Sequence, residues 1–153
     1  MKPEAKLKEM GIELPSPVTP EANYIKAVRT DNLIFLSGHD PRRPDGTLIT
    51  GKLGQDLNLE QGYEAARRTV VNLLASLKKE LGDLDKIRRI VKLLAMVNCT
   101  PDFYDQPKVI NGASDLLVEV FGPAGKHARS AVGTISLPGN IAVEIEMIVE
   151  VEP

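Results

Sequence analysis

The segment from Asn58 to Gly82 carries the most regular apolar pattern in the chain. Its apolar residues recur in steps of three and four, a spacing that places them on one face of an α-helix. Asn58 precedes the pattern as a helix cap, and Gly82 follows it as a stop signal. The pattern therefore predicts one long helix that buries this face against another layer. The apolar positions are Leu59, Tyr63, Ala66, Val70, Leu73, Leu74, Leu77 and Leu81.

Strand patterns and one further helix pattern surround this helix. Tyr24–Arg29 and Leu33–Ser37 flank a polar turn, which predicts a β-hairpin. Ile87–Cys99 reads as a strand, and Lys108–Phe121 as a second helix. Residues 2–13 predict a short helix, and the prolines that follow it at 15, 17 and 20 predict an extended connector.

Two more strands are predicted at the C-terminal end. They cover Ala128–Gly133 and Val143–Met147, and Leu137–Asn140 lies between them. Pro, Gly and Asn are residues that tight turns favour. We therefore expect these two strands to pair as a terminal hairpin.

The predicted order β-β-α-β-α-β-β indicates an α+β fold with helices on one face of a sheet. The chain has 153 residues and carries no domain-sized linker, so we expect a single domain, residues 1–153. The last strands carry apolar residues on both faces, and such strands need cover on both sides. We therefore expect a homo-oligomer.

Composition excludes several classes of protein. Apolar residues make up 42% of the chain and charged residues 26%, with a formal net charge of −2. This balance, without a basic run, argues against a nucleic-acid partner. No apolar stretch approaches the roughly 20 residues that span a bilayer, and the charged N-terminus is unlike an export signal. With one cysteine, Cys99, an internal disulfide is excluded, so we expect a cytoplasmic protein.

Arg129 and the pair Glu144 and Glu146 are the strongest candidates for chemistry. A guanidinium grips a carboxylate through two parallel charge-assisted hydrogen bonds, and a glutamate in a cleft can pass protons to and from water. Side chains alternate along a strand, so the two glutamates share one face. The alternatives are a surface arginine and two solvent-facing acids.

Other reactive residues are weaker candidates. We expect His39 to be a solvated loop histidine and Cys99 to be a buried small residue. His127 has no matched partner in the sequence. No spacing of histidines, cysteines or carboxylates suits a metal site, so we expect no metal. The loop Gly51–Gly54 departs from both common phosphate-binding motifs, which argues against a nucleotide.

Four segments together resemble the Rid/YjgF family, which is also labelled endoribonuclease L-PSP. They are Asn32–Gly38, Gly51–Gly54, Glu60–Arg67 and Ala128–Glu146. The resemblance covers most of the chain, from about Tyr24 to Val151. It implies a chorismate-mutase-like two-layer α+β fold, assembled as a homotrimer with clefts between neighbouring subunits. It also implies hydrolysis of reactive enamines and imines, such as 2-aminoacrylate, to 2-oxo acids and ammonia.

The resemblance also implies roles for individual residues. Arg129 matches the arginine that holds the substrate carboxylate, and Glu144 the glutamate that positions the hydrolytic water. Tyr24 matches a tyrosine lining the cleft. Ser37 with Gly38 matches the end of the second strand, and Asn111 an asparagine of the second helix. No cofactor is expected, because the substrate itself is already activated. The expected ligands are small 2-imino and 2-oxo acids, with no nucleic acid and no membrane.

Three departures mark a divergent subgroup. Ala131 stands where the family often has a cysteine, and the chain carries an N-terminal extension, residues 1–20, together with an unusual loop at His39–Arg43. Three functions therefore stay open: an imine deaminase, a non-catalytic trimer that binds small carboxylates, and an endoribonuclease. Whether Glu144 or Glu146 faces the cleft depends on strand register.

Overall fold

The structure, a computed structural model, describes residues 2–17, 19–20 and 23–153. Three helices and five strands make up the fold, with short 3₁₀ turns at Leu84–Lys86, Gly122–Gly125 and Pro138–Asn140. The helices are α1 (Pro3–Glu9), α2 (Leu59–Leu81) and α3 (Gln106–Phe121). The strands are β1 (Ala27–Thr30), β2 (Leu33–His39), β3 (Ile87–Asn98), β4 (Ala128–Thr134) and β5 (Val143–Val151).

Helix α2 begins and ends where its sequence predicts. The Asn58 side chain accepts a hydrogen bond from the Gln61 backbone, and the Gln61 side chain accepts one from the Asn58 backbone. This reciprocal pair satisfies two N–H groups that a helix start otherwise leaves free. Gly82 ends the helix at φ +82°, a conformation that glycine adopts without a steric penalty. From Ala66 onward the predicted apolar stripe is buried, whereas Leu59 is exposed.

The predicted terminal hairpin is wrong. The strand order is β1-β2-β5-β3-β4, so β3 lies between the last two strands. β4 pairs in parallel with β3, and β5 pairs antiparallel with both β2 and β3. The turn chemistry is present, since Gly139 and Asn140 both adopt positive φ. That turn carries the chain across the end of β3 instead of folding it back onto β4.

The prediction of helices on one face of a sheet is confirmed. Residues of β5 alternate between buried and half-buried along the whole strand. The buried set joins the core with α2 and α3, and its members are Val143, Ile145, Met147, Val149 and Val151. The opposite face keeps apolar side chains partly exposed, among them Phe35 at 41% and Val132 at 44%.

The N-terminal segment packs onto this core. Leu7 of α1 is buried, and Met10, Ile12 and Leu14 lie against the core residues. The Glu4 carboxylate pairs with the Lys78 ammonium of α2 and accepts a hydrogen bond from the Leu84 backbone. The predicted short helix is therefore confirmed, although it covers Pro3–Glu9 and ends four residues before its predicted end at residue 13. In the part of the chain that the structure describes, none of the helices combines the length and apolarity needed to cross a membrane.

Gly112 permits the close approach of α3 to α2. A Cβ atom at this position would overlap the Tyr63 carbonyl group. We expect Gly112→Ala to lower the free energy of unfolding by about 1–3 kcal/mol, because the two helices would have to separate. Urea denaturation measures this change. Glu119→Ala, an exposed change on the same helix, is the control and should leave the midpoint nearly unchanged. Equal stability of Gly112→Ala and the parent would contradict this account of the packing.

Candidate functional site

Glu144 and Glu146 lie on the sheet face that the helices leave uncovered. They alternate along β5 with the buried residues Val143, Ile145 and Met147. The prediction that the two glutamates share one face is confirmed. Their neighbours on β3 are Met96 beside Glu144 and Leu94 beside Glu146. Each carboxyl group therefore stands next to an apolar side chain on this face.

Gly38 distinguishes Glu144 from Glu146. A Cβ atom at Gly38 would lie 2.9 Å from the Glu144 carboxyl carbon, so the absent side chain leaves room for the carboxyl group. The register of β2 against β5 shifts between Leu36 and His39, which places Gly38 at an irregular point of the strand. Such bulges re-aim the chain beside a site. Of the two glutamates, Glu144 is the one seated against this irregularity.

The surroundings raise the pKa of the Glu144 carboxyl group above its ordinary value. Partial burial is the largest cause, and the negative charges of Glu146 and Asp40 add to it. Burial and like charge both disfavour the ionised form of an acid. A carboxylate with a raised pKa is a stronger base toward a bound water than an ordinary surface glutamate. Glu144 therefore has the chemical character of a proton acceptor and donor.

His39 stabilises the bulge next to Gly38. Its Nδ1 donates to the Ser37 carbonyl oxygen at 2.6 Å, and its Nε2 accepts from the Ser76 hydroxyl of α2 at 2.7 Å. The ring is only 5% exposed, and burial lowers its pKa, which favours the neutral form. The expectation of a solvated loop histidine is wrong, because the bulge turns the ring toward α2.

Tyr24 and Ser37 lie at the same end of β2. The Ser37 hydroxyl donates to the Ile25 carbonyl oxygen at 2.8 Å, which ties the chain before β1 to β2. Tyr24 is 53% exposed, and it lines the same cavity as Gly38. The structure therefore brings together four of the residues singled out from the sequence: Tyr24, Ser37, Gly38 and Glu144.

Arg129 lies in a second cluster, between β4 and the start of α3. Its Nη1 donates to the Ser114 hydroxyl at 3.0 Å, and its Nη2 donates to the Pro107 carbonyl oxygen at 3.3 Å. Asn111 falls between Pro107 and Ser114 on the same helix, at the spacing that places residues on one side. Asn111 thus lies on the same side of α3 as the two groups that hold Arg129.

A directional chain of hydrogen bonds orients Arg129. His127 Nδ1 lies 2.6 Å from the Gly125 carbonyl oxygen, which can only accept, so Nδ1 carries the proton. His127 Nε2 then accepts from the Ser114 hydroxyl at 2.9 Å, and Ser114 accepts from Arg129. Sequence reasoning missed both Ser114 and His127. The signal was present, because residues 127 and 129 are two apart and share one side of an extended chain.

One chain does not bring Arg129 and Glu144 together. Glu144 pairs with Met96, whereas Arg129 pairs with Leu93, three residues away and on the far side of β3. This separates them by about 10 Å along the strands and about 10 Å across them. The odd offset also places them on opposite faces of the sheet. Within one copy, they cannot hold the same small molecule.

The Gly51–Gly54 loop has a structural role. The Lys52 ammonium donates to the Asn98 side chain at 2.8 Å and to the Ile135 carbonyl oxygen. It therefore ties this loop to β3 and to the segment after β4. Across residues 2–17, 19–20 and 23–153, no three side chains of the metal-binding types cluster as a metal site requires. Cys99 is buried, as expected.

The fold and these two clusters define an α+β protein with one helical layer and a partly buried carboxyl group on the open face of the sheet. Residues 4–151 match the family model described as "YjgF/chorismate_mutase-like, putative endoribonuclease". The chain therefore belongs to the YjgF/chorismate-mutase-like family, and the resemblance seen in the sequence is confirmed. The two-layer chorismate-mutase-like fold is confirmed as well.

Three similar proteins cover nearly the whole chain. Protein TCP17 of Trypanosoma cruzi is 42% identical over 147 residues, which are 95% of this chain and 92% of that protein. The structure of Atu1372 from Agrobacterium tumefaciens, of unknown function, is 44% identical with a TM-score of 0.90, over 98% of this chain and 94% of that one. The structure of a "putative endoribonuclease" from Shewanella oneidensis is 33% identical with a TM-score of 0.95, over 99% of this chain and 100% of that one.

The coupling of His127 to Arg129 can be measured by titration. Burial is the main cause that lowers the pKa of His127, and the Arg129 charge lowers it further. We expect Arg129→Met to raise the pKa of His127, because a positive charge beside the ring disfavours its protonation. NMR titration of the imidazole signals measures it. His39 is an internal control, since Arg129 is not among the groups that shift it. An unchanged His127 titration would contradict the hydrogen-bond chain.

Proposed function

We propose that the protein is an imine deaminase that hydrolyses reactive enamines and imines of the 2-aminoacrylate type to 2-oxo acids and ammonia. The observation that carries the proposal is the Glu144 carboxyl group, seated against Gly38 with a raised pKa. A group of this character can take a proton from an attacking water. Membership of the YjgF/chorismate-mutase-like family supports the proposal, because the family resemblance in the sequence implies this activity.

Arg129 supplies the anchor for the substrate. Its guanidinium is held by Ser114 and Pro107, so its orientation is set before a ligand arrives. A carboxylate bound through two parallel charge-assisted bonds is fixed in both position and direction. That constraint orients the neighbouring imine carbon, and pre-orientation lowers the barrier to attack. Asn111 lies on the same helix face and is placed to contact the bound carboxylate.

The reaction then needs only water and proton transfer. The Glu144 carboxylate accepts a proton as the water oxygen bonds to the imine carbon, and the C=N double bond becomes a single bond. The protonated Glu144 returns this proton to the nitrogen. Glu144 then carries the hydroxyl proton to the same nitrogen as the C–N bond breaks, so that ammonia leaves and the hydroxyl oxygen becomes the carbonyl oxygen of the 2-oxo acid. Glu144 is ionised again at the end, and the reaction consumes only water. It needs no oxidant or reductant.

Two copies of the chain contribute to one site in this proposal. Arg129 and Glu144 lie on opposite sheet faces of one copy, as the strand pairing requires. A cleft between neighbouring subunits resolves this, with Arg129 from one copy and Glu144 from the next. The exposed apolar residues on the sheet face that carries Glu144, Phe35 and Val132 among them, are suited to an interface. A homotrimer is the assembly we propose.

Ribonuclease activity has less support. The name of the Shewanella oneidensis relative raises it. In-line phosphoryl chemistry on RNA uses free acid and base groups, whereas both histidine rings here are hydrogen-bonded at both nitrogens. The net charge of −2 also disfavours a polyanion. A trimer that binds carboxylates without turnover is an outcome that the experiment below detects.

The two proposed roles predict different defects. We expect Glu144→Gln to lower kcat by about 10²–10⁴ while still binding a 2-oxo acid. Arg129→Ala should lose both binding and turnover, because the carboxylate anchor is removed. The imine is generated by an amino-acid oxidase and its decay is followed by semicarbazide trapping. Glu146→Gln, on the same strand face, is the matched control and should keep most activity. Parent-like turnover in Glu144→Gln would contradict the mechanism.

A shared site predicts complementation between inactive chains. We expect co-expressed Arg129→Ala and Glu144→Gln chains to regain activity, since about a quarter of interfaces in random mixed oligomers would combine the two native residues. Native mass spectrometry confirms that mixed oligomers form. Mixing Arg129→Ala with the double variant is the control and should give none. Mixed oligomers no more active than their parents would contradict a site shared between two copies.

A further inference from the structure

A cavity of about 390 Å³ lies beside the Glu144 site and has no role in the mechanism above. One wall is the connector after α1, formed by residues 15–17 and 19–20, and the opposite wall is the loop from Asp40 to Gly46. Its volume falls in the range of small-molecule sites, roughly 300–1,000 Å³. Both walls belong to the two segments that depart from the family pattern in the sequence.

The loop wall is held in place by α2. The Asn72 side chain donates to the carbonyl oxygens of Asp40 and Arg42, at 2.9 and 3.0 Å. Arg42 also pairs with the Asp40 carboxylate at 3.4 Å and donates to the Gly46 carbonyl oxygen. A wall fixed by its own contacts needs no ordering when a ligand enters, which favours binding.

The cavity adjoins the reacting group. Gly38 lines it, and Gly38 is also the residue packed against the Glu144 carboxyl group. Asp40 lines it too, and its charge acts on Glu144. A molecule whose reacting carbon lies at Glu144 can therefore extend past Gly38 into this space. The cavity is in the right place for the part of the substrate distant from the imine.

The charge of the lining selects an anion. Three cationic side chains, Lys26, Arg42 and Arg43, face one carboxylate, Asp40. Asp40 is paired with Arg42, and the Arg43 guanidinium is hydrogen-bonded to neutral oxygens of Thr47 and Leu48. Asp40 also acts on Lys26, so one carboxylate is shared among three cations and the described lining keeps a net positive charge.

Lys26 strengthens the preference for an anionic ligand, because its ammonium group is partly removed from water. Burial is the main cause that lowers its pKa. The Asp40 carboxylate opposes this shift, and the charges of Arg42 and Lys79 lower the pKa further. An anionic group would restore a partner to this ammonium, whereas an apolar group would remove more water without replacing it. A hydrogen bond that involves a charged group is also stronger than a neutral one.

We propose that this cavity, with Lys26 at its base and Arg43 at its rim, binds a second carboxylate of the substrate. The substrate class is then the imines of 2-oxo dicarboxylic acids. This inference rests on the proposed function for the reaction, and the cavity determines which imine is preferred. The carboxylate next to the imine binds Arg129 of the neighbouring copy, and the distal carboxylate binds Lys26.

The test compares a diacid imine with a monoacid imine. D-Aspartate oxidase acting on D-glutamate generates the first, and D-amino-acid oxidase acting on D-alanine generates the second. We expect the unmodified protein to show a kcat/KM at least about tenfold higher for the diacid imine. Lys26→Met keeps the length of the side chain without its charge. It should lower the ratio of the two kcat/KM values by about tenfold or more.

Arg88→Met is the matched control, because it removes a cation from the exposed far end of β3, about 26 Å along the strand from Met96. It should leave the ratio unchanged. A ratio near one in the unmodified protein, or a ratio that Lys26→Met does not lower, would overturn the inference.

A binding experiment separates this inference from the deaminase proposal. If the protein accelerates the hydrolysis of neither imine, the deaminase proposal fails. Titration calorimetry with 2-oxoglutarate and pyruvate then tests whether the cavity binds a second carboxylate. Tighter binding of 2-oxoglutarate that Lys26→Met abolishes would support the second carboxylate site. Equal binding of the two acids, or binding that Lys26→Met leaves unchanged, would overturn it.

Discussion

Strand β5 is hydrogen-bonded along both edges, to β2 on one side and to β3 on the other. Every second residue of this strand packs into the core against the helices. The two neighbouring strands and the helical layer therefore together fix which residues face the core. A shift of one residue would bury the glutamates and expose the core side chains, which makes the register a strong constraint. Glu144 owes its place on the open face, and its contact with Gly38, to this constraint.

The two clusters depend on the same sheet in different ways. Glu144 acquires its raised pKa because it sits at the sheet centre, where burial and the charges of Glu146 and Asp40 act together. Arg129 lies on an edge strand, where α3 supplies Ser114 and the Pro107 carbonyl group to orient the guanidinium. Charge that is partly desolvated and held in place is costly in a folded chain, and such costs are typical of functional sites.

Elements whose signals are local could be predicted from the sequence. The long helix and both of its ends follow from side-chain periodicity and from the Asn58 and Gly82 caps. The shared face of Glu144 and Glu146 follows from strand geometry alone. The terminal hairpin was predicted wrongly, because turn residues between two strands report only a local change of direction. They carry no information about which strands compete for each edge, and β3 occupies the position next to β4. His39 was misjudged for a related reason, since the bulge that buries it forms only when β2 pairs with β5.

Residue chemistry and local conformation were thus determined by the sequence itself. The sequence alone identifies the arginine and the glutamates, the alternation of strand faces, the ends of the long helix and the family resemblance. Only the tertiary structure decided which of these residues meet. It separated Arg129 from Glu144, joined Arg129 to Ser114 and His127, and set the connector and the His39–Arg43 loop around one cationic cavity. The physical reason is that such contacts depend on strand order and on packing between distant segments, whereas sequence periodicity reports only a residue's near neighbours.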